Sequence, residues 1–241
     1  EAAGTNSDSD IGGGIELTGG LASTAQGGSL ALSSGESTAT DSGDITLTTD
    51  NAGTSGVSGY LSLTSGSTTA GTSGKIEMQT GTGVGGSGGN VEVSVGSGNT
   101  GDGGEILLTA GTTVDDGQKG GQIYLHAGQG INNEDGTTGV AGGDIVLTAG
   151  EAFYGLGYEN DLGGNVYVSG GESEMGIGGN IQLTSGFGAS QTSGYVGIAT
   201  ANAGDSGVSG LIEVNTGSSS DGESGTVKVS TGTGVGGSAG D

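Results

Sequence analysis

The feature that most constrains this chain is a nine-residue phrase, GGDIVLTAG at Gly142–Gly150, which returns with small changes along its length. Near copies begin at Gly12 (GGGIELTGG), Ser42 (SGDITLTTD), Gly120 (GGQIYLHAG) and Gly178 (GGNIQLTSG). The first apolar residue of each copy falls at Ile15, Leu30, Ile45, Leu61, Ile76, Val91, Ile106, Ile123, Ile145, Val166, Ile181, Val196, Ile212 and Val227. Successive steps are 15, 15, 16, 15, 15, 15, 17, 22, 21, 15, 15, 16 and 15, so the chain holds fourteen copies of one unit. A period this short leaves no room for the usual helical repeats.

A second apolar residue stands two places after each first one, as at Leu17, Leu32, Leu47, Leu63, Met78 and Val93. Alternation of that kind predicts a strand with one covered face. Gly-Gly or Ser-Gly precedes every phrase, and a small residue followed by Gly usually closes it, as at Gly20, Gly35, Gly66 and Gly81. Glycine there suits either a corner with positive φ or a close backbone approach. The pattern predicts an all-β chain without helices: a single parallel β-solenoid of about fourteen coils, each of about 15 residues. Its cross-section is expected to be narrow and two-sided or irregularly triangular, and its core to be the ladder of fourteen first apolar residues. Stacked at about 4.8 Å per coil, such a rod would be on the order of 65 Å long.

A longer period overlies the short one. NAGTSGVSG from Asn51 returns as NAGDSGVSG from Asn202, and GTGVGGSGGN from Gly81 returns as GTGVGGSAGD from Gly232, both 151 residues on. Residues 1–50 then read as the end of one block, 51–201 as a full block and 202–241 as the start of the next, all within one continuous solenoid spanning 1–241. With both ends at ordinary repeats, the expectation is a window of a longer repetitive protein. Only the region 107–165 breaks the coil length, through QGINNEDGTTGVA from Gln129 and EAFYGLGYENDL from Glu151. Insertions in a repeat array become loops on one face, often the face that meets partners. The same coils carry Leu107, Tyr124, Val146 and Tyr167 at the outward position, with Phe153, Tyr154 and Tyr158 nearby. Such a strip is either covered by the loops or used as a lateral contact.

Composition narrows the partners. Of 241 residues 62 are Gly, and there is no Pro, Cys or Trp; eight aromatics cannot fill a thick core. Formal net charge is -24 with three Lys or Arg in all, so the basic cluster that nucleic-acid binding needs does not exist. Anionic membrane surfaces are disfavoured for the same reason, and no apolar run reaches the length that spans a bilayer. There are no disulfides, no Asn-x-Ser/Thr acceptor and no signal peptide; Ser and Thr remain open to O-glycosylation.

Sites are few. Gly81, Gly83 and Gly86 satisfy G-x-G-x-x-G, as do Gly232, Gly234 and Gly237, but a dinucleotide site needs a helix after the glycines, and NVEV follows the first set. Ser87 and Ser238 sit in G-x-S-x-G without the strand-turn-helix a nucleophile requires, and the single His126 cannot serve two triads. No enzyme is expected. Asp115, Asp116, Glu134, Asp135, Glu159 and Asp161 lie in loops of neighbouring repeats, where hard oxygen ligands suit Ca²⁺; the plainer reading is a solvated acidic surface. Calcium is thus the only candidate cofactor. Paired outward threonines would suit ice binding, but only Thr46 and Thr48 make the pair among the first coils, and charges interrupt the plane.

The phrases GGDIVLTAG and GGNIQLTSG resemble the repeats of extracellular β-solenoid proteins, including filamentous adhesins of the haemagglutinin type. The resemblance spans the chain and implies an extracellular or cell-surface setting. With it the leading expectation is a structural protein: a fibre or surface stalk that associates with itself, head to tail or as a continuous polymer, with lateral contacts. The alternative is an adhesin segment that binds glycans or cell surfaces through its long-loop face, with calcium as a candidate aid.

Overall fold

A computed structural model describes residues 12–131, 139–152, 161–235, 237 and 240. Among the described residues there is no helix and no strand. The parallel β-solenoid, or β-helix, is therefore corrected: the chain is not an all-β solenoid. The physical reason lies in its backbone hydrogen bonds. A stacked coil would bond each phrase to the next along its length, whereas the described backbone bonds occur only where loops pinch shut and in three tight turns. Two apolar side chains per repeat are set against a quarter-glycine backbone, which loses the most conformational freedom on ordering. The expected core does not close: among the described residues no side chain is buried. The surface of 23980 Å² lies much nearer the roughly 33,000 Å² of an extended chain of this mass than the roughly 9,500 Å² of a folded one.

What organises the chain is a neck between consecutive phrases. The amide of Gly28 donates to the carbonyl of Gly20 (2.8 Å), and that of Gly43 to Gly35 (3.0 Å). Gly121 donates to Gly111 (2.8 Å), Gly143 to Gly128 (2.9 Å) and Gly164 to Gly150 (2.9 Å). From Gly28 to Gly35, from Gly121 to Gly128 and from Gly143 to Gly150 the two glycines of a phrase always stand seven positions apart. All variation falls outside it, in loops whose closed ends make them Ω-like. In sequence the extra residues Gln129–Ala141 and Glu151–Leu162 fall between the bonded pairs Gly128–Gly143 and Gly150–Gly164. Residues 132–138 and 153–160 within them are outside the described residues.

At several phrases the opening glycine is there for close approach. A Cβ on Gly121 would stand 3.0 Å from the Gly111 nitrogen and 3.2 Å from the Ala110 Cβ. Among the described residues, positive φ occurs instead at glycines inside loops or turns, such as Gly117 at 75°. The neck glycine faces the residue four places after the first apolar of the preceding phrase. That residue is Ser34 opposite Gly43, Ala110 opposite Gly121, Ala127 opposite Gly143 and Thr49 opposite Gly59.

Its identity sorts the necks. Where it is Gly, Ala or Ser, Ser65 apart, the backbone bond forms, as at Gly19, Ser34, Ala110, Ala127, Ala149, Gly170 and Ser185. Where it is Thr or Val, as at Thr49, Thr80, Val95, Thr200 and Thr216, no such bond is present among the described residues. At Gly59 a β-branched side chain lines the neck, with Thr49 Cβ and Cγ2 both 3.4 Å from where a Cβ on Gly59 would be. Ser65 opposite Gly74 is a small residue without the bond, and nothing in the structure explains it.

Two compact units divide the chain, Glu1–Leu108 and Thr109–Asp241. The first unit holds the Gly20–Gly28 and Gly35–Gly43 necks and a turn in which Gly56 donates to Gly53 (3.4 Å). Counterparts of all three stand in the second unit 151 residues later: Gly171–Gly179 (2.8 Å), Gly186–Gly194 (3.0 Å) and Gly204–Gly207 (3.3 Å). Hydroxyls hold the loop tips, since short Ser and Thr side chains bond the backbone two or three residues on. Ser37 Oγ accepts from Thr40 (3.0 Å), and Ser173 Oγ from Gly176 (2.9 Å).

Candidate functional surface

The alternation in the sequence survives as a difference in exposure. First apolar residues keep about half their surface, as with Ile145 at 53%, while the outward neighbour Val146 keeps 78%. Outward side chains find partners along their own phrase, two residues away, as extended backbone allows. The Thr18 hydroxyl donates to Glu16 (3.3 Å), the Asn215 amide to Glu213 (2.9 Å) and the Tyr124 hydroxyl to Gln122. Lys75 pairs with Glu77 at 2.6 Å, with both side chains exposed, and water and salt screen such a pair.

The strip of Leu107, Tyr124, Val146 and Tyr167 is exposed. Leu107 belongs to the first unit and the other three to the second. Phe153, Tyr154 and Tyr158 lie outside the described residues. His126 is exposed, with its ring 5.7 Å from that of Tyr124 and tilted by 39°.

Asp115 and Asp116 sit on the exposed loop between Gly111 and Gly121. There the Asp115 amide donates to Thr113 Oγ1 (3.2 Å), and the Asp115 carbonyl accepts from Gln118 (3.3 Å). Asp161 is exposed just before Gly164, while Glu134, Asp135 and Glu159 lie outside the described residues. Among the described residues no group of three or more His, Cys, Asp or Glu side chains is placed to hold a metal ion.

At the glycine fingerprint, Gly83 folds tightly against the Gly86 and Ser87 carbonyls, and no helix follows. Ser238 is outside the described residues. Among the described residues no helix is long and apolar enough to cross a membrane.

The most covered places are the necks. Five of the eight most covered described residues are Ala110, Ala127, Ala149, Gly170 and Ser185, all at the fourth place after a first apolar residue. Sequence reading placed the tight packing on the apolar ladder and missed these. The signal was present as a small residue before the closing glycine of each phrase. Compared with models of known protein families, with characterised proteins and with solved structures, the chain matches none.

Proposed function

We propose that this chain is a repetitive structural segment of an extracellular or cell-surface fibre or stalk, and that it works by associating with further copies of itself. One observation carries the reading. Every repeat leaves its Ile, Leu, Val or Met residues about half exposed or more at a nearly fixed spacing, so a second copy meets the same apolar pattern in register. A net charge of -24 opposes that contact at neutral pH and keeps single chains soluble. Association is therefore governed by pH and salt, and it strengthens as carboxylates are neutralised.

Sedimentation velocity and electron microscopy across protein concentration, from pH 7 down towards the sequence pI of about 4.1, test this. The expected result is concentration-dependent, elongated assembly that sets in at lower concentration as the pH falls or salt rises. A monomer under every condition, or shapeless precipitate alone, overturns it.

A further inference from the structure

We propose that neighbouring copies lie parallel and displaced by one block, so that residues 12–90 of one copy face residues 163–241 of the next. The partner is a second copy of this chain. The proposal rests on the self-association read above, whose register it specifies.

Two observations carry it, and the first is a shared apolar relief. The phrases at Leu30, Ile45, Leu61 and Ile76 have counterparts at Ile181, Val196, Ile212 and Val227, with identical steps between them. Exposure follows the same pairing: Ile45 and Val196 both keep 54%, and the loop residues Val57 and Val208 keep 97% and 96%. A displacement of 151 residues therefore sets each phrase beside a phrase. Shorter displacements run the steps of 16, 17, 21 and 22 against those of 15 and lose that match.

The second observation is charge. Residues 12–90 carry acids at Glu16, Glu36, Asp41, Asp44, Asp50 and Glu77. The residues 151 places on are Tyr167, Phe187, Thr192, Tyr195, Ala201 and Lys228. All three aromatics of 163–241, and its one basic residue, thus stand where the other stretch has a carboxylate. All of these side chains are exposed, and in this register no acid meets an acid. A tyrosine hydroxyl donates to a carboxylate, an aromatic ring meets one with its positive edge, and Lys228 pairs with the Glu77 of the neighbouring copy. Copies aligned without displacement set every acid against itself, and like charges directly opposite one another resist pairing. A displacement of one phrase still sets Glu77 against Glu92.

Disulfide trapping tests the register in full-length chains, which have no cysteine of their own. Ala31→Cys and Gln182→Cys put thiols at exposed positions 151 residues apart, each just after a first apolar residue. Equal amounts of the two variants, one of them isotopically labelled, are mixed, assembled by raising salt at neutral pH and oxidised. Mass spectrometry should find the mixed disulfide in excess of either like disulfide by at least about tenfold. The statistical mixture of random pairing, or an excess of like disulfides, overturns the proposal and leaves self-association standing. Absence of assembly overturns both. Phe187→Glu with Tyr195→Asp, added to both variants, should lower the excess at least about twofold by setting acids against Glu36 and Asp44. Adding Glu36→Phe with Asp44→Tyr as well exchanges the partners and should restore it. An excess that ignores the first pair, or that the second pair does not restore, overturns the charge pairing on which the register rests.

Discussion

Ile123 and Ala127 stand four residues apart in one repeat and meet opposite fates. Ile123 belongs to the apolar ladder and keeps 54% of its surface exposed. Ala127 is far smaller yet is partly covered, because Gly143 returns to it across the loop and donates to the Gly128 carbonyl at 2.9 Å. Hydrophobicity therefore does not say where this chain is tightest. Smallness does: two backbones approach only where neither side chain intervenes. The loop in between matters little, since the bond is 2.8 Å across Gly20–Gly28 and 2.9 Å across the much longer Gly128–Gly143.

The contrast between ladder and neck can be broken most directly at a neck glycine. Gly121→Val places a branched side chain where a Cβ already stands 3.0 Å from the Gly111 nitrogen. The neck should open, at a cost of about 1 kcal/mol for the lost bond, and amide exchange at residue 121 should rise about fivefold. Unchanged exchange would mean that the neck does not hold that amide. A smaller effect of opposite sign is expected from Thr49→Ala, which removes the prop beside Gly59: the Gly59 amide should become two- to fivefold better protected, about the yield of one exposed hydrogen bond. No gain in protection would remove β-branching as the reason this neck stands open. Least of all should follow from Ile145→Asp. A charge in a buried core costs several kcal/mol, but at a half-exposed position the change should stay within about 0.5 kcal/mol and leave exchange at Gly143 and Gly164 unaltered. A large loss there would show that the ladder, not the neck, holds the repeat together.

Much of this organisation was legible in the sequence. The 151-residue offset in the sequence returns as a turn matched to a turn, Gly53–Gly56 and Gly204–Gly207. Glycine before each phrase pointed to a corner or a close approach, and close approach is what the necks display. The error lay in the step from alternation to burial. A two-residue period says which side chains share a face, and Ile145 and Val146 do differ in exposure. It does not say that another phrase covers that face, because the covering bonds depend on chain segments brought together in space. Of the candidate calcium residues, Asp115 and Asp116 share the loop between Gly111 and Gly121, and Glu134, Asp135 and Glu159 lie outside the described residues.

The neck is best tested in a chain that has no cysteine of its own. A Cβ on Gly143 would stand 3.7 Å from the Ala127 Cβ, close to the mean of about 3.8 Å in disulfides. The pair Ala127→Cys with Gly143→Cys can be compared with His126→Cys and Gly142→Cys, which encloses a loop of equal length with both side chains one place earlier, on the other face. Effective concentrations of the two thiol pairs, measured in a glutathione redox buffer, should differ by at least about tenfold in favour of the neck pair, the ratio expected where one pair is preorganised and the other must find its partner by loop closure. Equal values would mean that the loop ends meet only by chance, and the neck as the organising element of this chain would be wrong.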